Sequence, residues 1–518
     1  MQKIKQPLLL ALVILVQLLV LVGWAAQKQG YHVDEIYSHT LANSQYRPFI
    51  QNLEGYTTRW QTGQELLDAL TVNESDAFDF GSVVYNQTQD VHPPLWYFVL
   101  HTVCSLSQGV FSKWQGIIIN LVCFVAIDLL LFALTKAVAG RKAAWLSLIL
   151  WGFSAGAINA VTFVRMYAML AFWGILFVYL HWLAFGEKKP LLGRYGLLAG
   201  LFFCTIAGVL TQYYFLIFAF FLCGVWCIYL LAQKRWKELF AYAGVELAAV
   251  VCSVVLYPSI LNHLTSSGRG MQSLGALVHN DSYLTNIQDF LFIGIWSLFG
   301  GFMWILPVLA FLVWCCKGGK LAPNQKSTES LWFLAILFPA LMGYLLLIAR
   351  IAPYRTDRYI MILFPIGAVY IGTVIWLTCK SLLGGKGYSL VLVLCLVLIP
   401  TGWNMLGYLF MERQERYQAV EPYQDLPVLA VDQFDYGSSL YADELVKHPA
   451  VLFGVVDELE PLTQLLPQQD LSHGLLVYTS VQEDGAVLQK VEETLGEGWQ
   501  RELVTQNFGN VYRFYPVE

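Results

Sequence analysis

Two adjacent carboxylates follow the first apolar run of the chain. Asp34 and Glu35 lie in the stretch YHVDEIYSH, where a helix that begins near residue 8 would leave a membrane. Adjacent helical side chains point about 100° apart, so one carboxylate can face a cavity while the other braces it or binds a cation. The pair could therefore serve two tasks at one site. The alternative is that it only caps a helix, as acidic residues often do.

A histidine and a third carboxylate come next, in the stretch QDVHPPLWYF. Asp90 and His92 stand two residues apart, directly before two prolines. Proline fixes its own backbone dihedral and holds the preceding residue extended, which suits a rigidly presented histidine. With Asp34 or Glu35, these side chains would supply carboxylate and imidazole ligands for a divalent cation. Asp-x-His is frequent by chance, so the spacing alone is weak evidence for a metal.

Arginine is the basic residue of the turns between the later apolar segments on one side of the membrane, whereas lysine prevails on the other side. The planar guanidinium fork binds a phosphate or carboxylate at a membrane boundary better than an ammonium group does. We therefore predict that this side of the protein holds an anion. The alternative for each arginine is that it snorkels to the interface. The arginines are Arg165, Arg269, Arg350, Arg355 and Arg358.

Tyrosines accompany several of these arginines. Tyrosines at this depth are typical of an interfacial aromatic belt, so each of them alone is more simply an anchor than a ligand. Arg358 differs, because it follows a carboxylate and is predicted to open a helix whose positive end would add to anion attraction. The motifs are FVRMYAML with Arg165 and Tyr167, LTQYYF with Gln212 and Tyr213, and YRTDRYIMILFP with Asp357, Arg358 and Tyr359.

Membrane helices must position these residues, because the composition excludes a water-soluble globule. Apolar residues make up 57% of the 518 residues and charged residues only 13%. A hydrocarbon core of roughly 30 Å takes about 20 apolar residues to cross, and such runs recur as far as about residue 409. No basic patch with interleaved aromatics is present in the sequence, so no nucleic-acid partner is expected.

Clusters of lysine and arginine predict the orientation, since short cytoplasmic loops retain positive charge. The clusters near residues 3–5, 136–142, 188–194, 234–237, 317–326 and 380–386 mark the inside. They predict about eleven spans, near 8–26, 115–136, 143–161, 167–185, 192–209, 213–232, 239–259, 290–315, 330–349, 359–379 and 387–409. The apolar stretch 93–111 is left out, because counting it would invert every later loop. We predict that it lies in the outer interface.

The composition changes beyond residue 410. The strings LPVLAVD, AVLFGVV and GLLVYTS predict strands, and EDGAVLQKVEETLG predicts a helix. We therefore predict a transmembrane domain over residues 1–410, with 27–114 as a large outer loop with interfacial helices, and an extracytoplasmic α/β domain over 411–518. The loop LTSSGRGMQSLGALVHND is predicted to be a flexible lid. All ten cysteines lie in apolar segments and are predicted to pack there rather than form disulfides or bind metal.

The order of these motifs resembles that of a known enzyme family. DE opens the first outer loop, HPPL precedes an aromatic helix, and RMYA, TxYY and RY follow, with a proline six residues after the last tyrosine. In this the chain resembles bacterial glycosyltransferases of the GT-C superfamily, in particular the dolichyl-phosphate-mannose protein mannosyltransferase-like family. The resemblance covers residues 1–410. Many relatives have a histidine where Gln212 stands, which argues against proton transfer or metal binding there.

The resemblance implies a multi-pass protein of a bacterial plasma membrane. Such enzymes transfer a sugar, with inversion, from a polyprenyl-phosphate carrier to an acceptor hydroxyl of a glycan, lipid or protein at the extracytoplasmic face. Asp34 would be the general base, helped by Glu35. Cationic side chains would stabilise the departing lipid phosphate. The phosphate-binding candidates are Arg165 and Arg358 with His92, Tyr167 and Tyr359, and Arg269 and Arg355 stand at second rank.

A metal is left open by the resemblance. Some relatives use a divalent cation and others do not. The candidate ligands in this chain are Asp34, His92 and Asp90, and no other cofactor is expected.

Two other classes of protein stay open. A transporter or flippase of a lipid-linked or anionic substrate fits the many spans and the intramembrane carboxylates Asp128 and Glu246, which are costly in lipid. Against it, the sequence shows no repeated halves, and transport leaves the long first loop unexplained. A sensor with a ligand-binding C-terminal domain is the other class, but it would not explain the Asp34–Glu35 pair or the arginines. We interpret Asp128 and Glu246 as hydrogen-bond partners that stabilise the helix bundle.

Overall fold

Long apolar helices make up most of the protein. The computed structural model describes residues 2–186, 191–301, 325–383, 386–480 and 484–517. Its helices up to residue 211 are Gln2–Gln27, Val33–Asn43, Gly63–Leu70, Phe80–Thr88, Leu95–Ser105, Lys113–Ala139, Arg141–Gly152, Ala155–Thr162, Tyr167–Gly186 and Tyr195–Thr211. The later helices are Tyr214–Ala232, Trp236–Leu256, Ser259–Thr265, Gly268–Val278, Tyr283–Phe299, Gln325–Ile351, Leu363–Leu383, Tyr388–Leu398, Arg413–Val420, Ala442–Leu445, Glu460–Leu465 and Gly485–Leu495.

Eight of the described helices are long and apolar enough to cross a membrane, so the protein is a polytopic α-helical membrane protein, as predicted. The helices Arg141–Gly152 and Ala155–Thr162 are separated by a bend of 53°. Counted together, they make a ninth span. These nine agree with nine of the predicted spans. The eight are Gln6–Gln27, Lys113–Ala139, Tyr167–Phe185, Tyr214–Ala232, Trp236–Leu256, Trp332–Ile351, Leu363–Lys380 and Tyr388–Met405.

Two of the predicted spans do not appear among these nine. The span predicted at 192–209 is the helix Tyr195–Thr211, whose 17 residues reach about 25 Å. The span predicted at 290–315 begins in the helix Tyr283–Phe299, and its second half lies outside the described residues.

The apolar stretch 93–111 does not form a span. Its helix Leu95–Ser105 has 11 residues, which extend about 16 Å, or half of a hydrocarbon core. Leaving this stretch out of the predicted spans is therefore confirmed.

The chain divides into two compact units, and their boundaries differ from those of the predicted domains. The first unit comprises Met1–Ala25, Val91–Trp96 and Ile117–Gly407 and holds the membrane helices. The second unit comprises Ala26–Asp90, Tyr97–Gly116 and Tyr408–Glu518. Most of the predicted outer loop thus packs with the C-terminal residues. Hydropathy did not indicate this grouping, because it describes each segment without its distant partners.

A five-stranded mixed sheet forms the centre of the second unit. β1 is parallel to β2 and β3, and β5 is antiparallel to β3 and β4. The first three strands and the helix Gly485–Leu495 confirm the elements predicted from the apolar strings. The strands are β1 Val428–Asp432, β2 Val451–Val455, β3 Leu475–Thr479, β4 Trp499–Thr505 and β5 Asn510–Pro516, in the order β2-β1-β3-β5-β4.

Residues of the first loop contribute to the core of this unit. Gln61 forms an antiparallel bridge with Val451 through two backbone hydrogen bonds of 2.8 and 2.7 Å. Leu66 and Leu70, on the helix Gly63–Leu70, are fully buried in the same apolar cluster as the sheet. A buried leucine side chain contributes about 1.5–3 kcal/mol to stability. The loop is therefore a structural part of the α/β unit.

The segment predicted as a flexible lid is helical. Gly268–Val278 forms a helix whose N-terminus is capped by Ser267, since its hydroxyl accepts a hydrogen bond of 3.0 Å from the Gly270 N–H. Met271 and Leu274 lie three residues apart and are exposed. The prediction of a flexible loop was wrong, because the Ser267 cap starts a helix despite the two glycines of GRG, which are unfavourable inside helices. A role as a lid stays a prediction.

A buried carboxyl group ends β1. Asp432 is only 4% exposed, and Gly437 in the following turn packs so closely against it that a Cβ atom there would collide with the carboxyl group. Burial raises the pKa of Asp432 to about 7, although the positive charge of Arg416 opposes this shift. Asp432 therefore keeps its proton to a higher pH in the folded chain than in the unfolded chain.

Replacing Asp432 by asparagine should stabilise the α/β unit at neutral pH. The unfolded carboxyl group ionises near pH 4 and the folded one near pH 7, so the wild type loses stability as the pH rises through this window. The loss is at most about 4 kcal/mol, and Asp432→Asn removes it. Hydrogen exchange of the β1 amides, corrected for intrinsic rates, measures the local free energy of opening. Equal changes in that free energy between pH 5.5 and pH 8 in both proteins would contradict this expectation.

Candidate functional site

Asp34 occupies the first turn of the helix Val33–Asn43. The preceding residue His32 caps this helix, because its Nδ1 accepts a hydrogen bond of 3.0 Å from the Asp34 N–H. In return, the His32 N–H donates to Glu35 Oε2 at 2.6 Å. The Asp34 carboxylate also lies near the histidine ring, with Oδ2 at 3.6 Å from Nδ1, and its side chain is 23% exposed. The capping box fixes the direction in which this carboxylate leaves the helix.

Glu35 has a different environment from its neighbour. Its side chain is fully buried and forms an ion pair of 2.9 Å with Lys28, which is fully buried too. The Lys28 ammonium group also donates to the Tyr408 carbonyl oxygen at 2.6 Å. Burial lowers the pKa of Lys28, and the charge of Glu35 opposes this shift. Glu35 is thus suited to brace the turn, and Asp34 is the carboxylate that keeps access to solvent.

Lys28 and His32 were missed in the sequence. A lysine just after an apolar run is usually a topology marker, and His32 lies outside the DE pair. The signal that was available is the spacing of His32 and Glu35, which is that of a capping box with histidine as the cap.

Further buried charges surround this turn within the second unit. The side chain of Arg413 packs against Gly30 so closely that a Cβ atom at Gly30 would collide with it. Ion pairs bring buried charges of opposite sign together in this unit. The ion pairs are Lys28–Glu35 at 2.9 Å, Arg413–Asp443 at 3.7 Å and Arg416–Glu444 at 2.7 Å.

His92 and Arg165 meet in the first unit. Arg165 Nη2 lies 3.3 Å from His92 Nε2, and Arg165 is 3% exposed. A guanidinium group only donates hydrogen bonds, and a ring nitrogen of histidine can accept one. The two predicted phosphate-binding residues are thus in contact although they are far apart in the sequence.

A buried hydrogen bond joins the segment of Arg165 to that of Arg358. Asn159, on the helix Ala155–Thr162, donates to Asp357 Oδ2 at 2.7 Å. The amide group of Asn159 also donates to the Met405 carbonyl oxygen at 2.9 Å. The prediction that Arg358 opens a helix was wrong. Arg358 lies in the one-turn 3₁₀ helix Asp357–Tyr359, and the long helix begins only at Leu363.

Arg358 lies among tyrosines. Its guanidinium carbon is 5.6 Å from the ring centre of Tyr354 and 5.1 Å from that of Tyr359, and Nη2 donates to the Tyr359 hydroxyl at 3.3 Å. Arg269 lies 5.4 Å from the same Tyr354 ring and donates to its hydroxyl at 3.3 Å. Tyr354 therefore brings two guanidinium groups together. We call Arg269, Tyr354, Arg358 and Tyr359 the arginine–tyrosine cluster.

The remaining residues of the predicted anion site have other neighbours. Tyr167 is buried and stacks on Phe163 at a centroid distance of 5.7 Å. Arg350 donates to backbone carbonyl groups at the end of the helix Gly268–Val278. Arg355 forms an exposed ion pair of 2.8 Å with Asp289. Arg350 and Arg355 therefore stabilise local structure. Residue type and position in the sequence do not reveal this role.

A metal site does not appear in the described residues. No group of three or more His, Cys, Asp or Glu side chains in them is placed to hold an ion. Asp34 and Asp90 belong to the second unit and His92 to the first. Their role as metal ligands stays a prediction.

Two intramembrane carboxylates and the cysteines complete the predicted polar and reactive residues. Glu246 accepts a hydrogen bond of 2.7 Å from the Thr205 hydroxyl, which confirms its predicted role in the bundle. Asp128 is fully buried, and its carboxylate has no hydrogen-bond partner among the described residues. The eight described cysteines are free thiols.

Comparison with known proteins gives a likeness in structure only. No protein-family model matches the chain, and no curated protein matches it by sequence. The crystal structure of ArnT from Cupriavidus metallidurans bound to undecaprenyl phosphate is similar over 97% of both chains, with 12% identity and a TM-score of 0.54. The Archaeoglobus fulgidus oligosaccharyltransferase in complex with Zn and sulfate matches 85% of this chain and 62% of its own, with 13% identity and a TM-score of 0.44. From the likeness to ArnT, which extends over nearly the whole chain, this protein has the GT-C fold.

Proposed function

We propose that the protein is a membrane glycosyltransferase that moves a sugar from a polyprenyl-phosphate-linked donor to an acceptor hydroxyl, with inversion. The proposal assigns the proton transfer to Asp34 and the binding of the lipid phosphate to arginines of the first unit. The similar ArnT structure contains undecaprenyl phosphate, a polyprenyl phosphate of the proposed class.

The observation that carries the proposal is the grouping of arginines with hydrogen-bonding side chains in the first unit. Arg165 contacts a histidine, and the arginine–tyrosine cluster surrounds Arg269 and Arg358 with phenol groups. A guanidinium group presents several N–H donors in one plane, which match the oxygens of a phosphate group. The hydrogen bond from Asn159 to Asp357 links the two segments that carry Arg165 and Arg358. Such an arrangement supports a site for a phosphate group.

In the proposed reaction, Asp34 accepts the proton of the acceptor hydroxyl. The acceptor oxygen forms a bond to the anomeric carbon while the bond from that carbon to the phosphate oxygen breaks. The electron pair leaves with the polyprenyl phosphate, whose added negative charge is stabilised by Arg165 and Arg358. Because the oxygen attacks opposite to the leaving phosphate, the anomeric configuration inverts. Glu35 acts by bracing the turn that carries Asp34.

The proposed location is the plasma membrane of a bacterium, with Asp34 and the C-terminal residues on the extracytoplasmic side. The distribution of lysine in the predicted inner loops supports this orientation. The proposed partners are the lipid-linked sugar donor, membrane lipids and a glycan, lipid or protein acceptor.

Reconstitution tests the proposal. The purified protein in liposomes is supplied with radiolabelled polyprenyl-phosphate sugars and a panel of acceptors, and the product is analysed after base treatment for a new glycosidic bond. The proposal expects transfer from at least one donor. A flippase would instead move the labelled lipid to the other leaflet without releasing polyprenyl phosphate, and that result would contradict the proposal.

Lysine at either phosphate-binding arginine should impair transfer. Arg165→Lys and Arg358→Lys keep the charge but lose the planar pair of N–H donors, so kcat/KM should fall by about 10²-fold for each. Initial rates at varied donor concentration measure this. Arg235→Lys is the matched control, because Arg235 forms an ion pair with Glu238 at 2.6 Å and should change the rate by less than about twofold. Rates equal to that of the control would remove these arginines from the site.

A further inference from the structure

Two exposed aromatic rings stand on the turn after β1. Phe434 is 57% exposed and Tyr436 is 46% exposed. Their ring planes are nearly parallel, at 9°, with centroids 5.3 Å apart. Gln433 and Asp435, which alternate with them, are exposed as well. Exposed apolar side chains that are scattered singly are normal, whereas adjacent ones form a patch of the kind that marks interaction sites.

Tertiary contacts fix the backbone of the turn that carries the rings. Asp435–Leu440 forms a 3₁₀ helix, and its carbonyl oxygen at Asp435 accepts a hydrogen bond of 2.7 Å from the Tyr56 hydroxyl. Gly437 packs against the buried Asp432, as described above. The rings are therefore presented by a fixed backbone, which lowers the entropy lost when a ligand binds.

The turn that carries the rings lies next to the helix of Asp34 within the second unit. The helix Val33–Asn43 packs against the 3₁₀ helix Asp435–Leu440. Tyr37, one turn after Asp34, lies in the electrostatic field of Asp34 and Asp435, and burial together with these charges raises its pKa. Tyr37 thus connects the proposed base with the exposed rings.

We propose that residues 433–436 form the subsite that binds a sugar ring of a glycan acceptor. The C–H groups on one face of a pyranose ring carry partial positive charge and pack on the negative face of an aromatic ring. Gln433 and Asp435 are exposed in the same stretch, and an amide and a carboxylate can bind sugar hydroxyls. A lipid-inserted turn would not alternate aromatics with an amide and a carboxylate, because a carboxylate is costly in a bilayer. This inference rests on the proposed function and selects a glycan among its acceptors.

Binding is tested without the donor, on the full-length protein in nanodiscs. The probes are methyl glycosides of glucose, galactose, mannose and N-acetylglucosamine, and saturation-transfer NMR measures their contact with the protein. At least one glycoside should bind to the wild type. The double variant Phe434→Leu/Tyr436→Leu keeps an apolar surface without ring faces, and it should weaken binding by about tenfold or more. Leu503→Ala, which removes an exposed apolar side chain on β4, is the matched control and should bind as the wild type does.

The outcomes separate this inference from the proposed function. Asp34→Asn should lose transfer and keep glycoside contact, whereas the double leucine variant should keep kcat and raise the acceptor KM about tenfold. Transfer that depends on Asp34 but shows an unchanged acceptor KM in the double variant would overturn the subsite alone. Glycoside contact at these rings without any transfer would overturn the proposed function alone. Absence of glycoside contact in the wild type would overturn the subsite, and so would photocrosslinking of p-benzoylphenylalanine at position 434 to lipid chains.

Discussion

Replacing Asp34 by asparagine is expected to abolish sugar transfer almost completely, with kcat reduced about 10²- to 10⁴-fold. Asparagine has nearly the same shape but cannot accept the acceptor proton at neutral pH. Because the backbone N–H of residue 34 makes the hydrogen bond to His32, the capping box should survive the change. Product formation from a lipid-linked donor in liposomes measures the effect.

A loss of folding must be separated from a loss of chemistry. Asp34 is an acidic residue in the first turn of a helix, where its charge contributes about 0.3–1 kcal/mol. The thermal midpoint of Asp34→Asn should therefore shift only slightly. Asp68→Asn is a matched control in the same unit, because Asp68 accepts a hydrogen bond of 2.8 Å from Gln64 on the preceding helical turn and has no proposed role in catalysis. Wild-type rates in Asp34→Asn would exclude Asp34 as the base.

Replacing Lys28 by methionine is expected to destabilise the second unit strongly. The change leaves Glu35 fully buried without its countercharge, which costs about 3–5 kcal/mol. It also removes the hydrogen bond to the Tyr408 carbonyl oxygen. The free energy of opening of the helix Val33–Asn43, from hydrogen exchange, measures the effect.

The double variant Lys28→Met/Glu35→Gln separates the unpaired charge from the lost packing. It removes both charges, so most of the stability should return, as is usual when a buried ion pair is replaced as a whole. The matched control is Arg59→Met, which breaks the exposed pair between Arg59 and Glu65 at 2.7 Å and should cost less than about 1 kcal/mol. If Lys28→Met and Arg59→Met destabilised the unit equally, the buried pair would not brace this turn.

The sequence predicted those parts of the fold that depend on local patterns. Strands β1 to β3 are buried along their whole length or nearly so and were evident as apolar strings. Strand β4 was missed, because most of its residues are exposed and its composition is that of a surface segment. The bend between Gly152 and Ala155 was missed as well, since two short apolar helices in succession have the hydropathy of one span.

The candidate site likewise has a part that local patterns predict and a part that they do not. Asp34, His92, Arg165 and Arg358 could be selected from residue type and position, because charges near a membrane surface are conspicuous. Their partners could not be selected. Lys28 binds the backbone of Tyr408, and no local pattern indicates a hydrogen bond between residues that the membrane part separates in the sequence. The distinction between a guanidinium held by carbonyl groups, as in Arg350, and one held by phenol groups likewise depends on tertiary contacts.

The second unit is assembled from both ends of the chain, and this has a consequence for its biogenesis. The helix Gly63–Leu70 is synthesised long before the β1 and β2 residues against which its leucines pack. Because translation proceeds at about 5–20 residues per second, those leucines remain without their packing partners for on the order of a minute. During that interval the emerging segment is a substrate for chaperones and proteases. A ribosome that stops near residue 410 would leave a chain with its spans inserted and the turn of Asp34 unsupported.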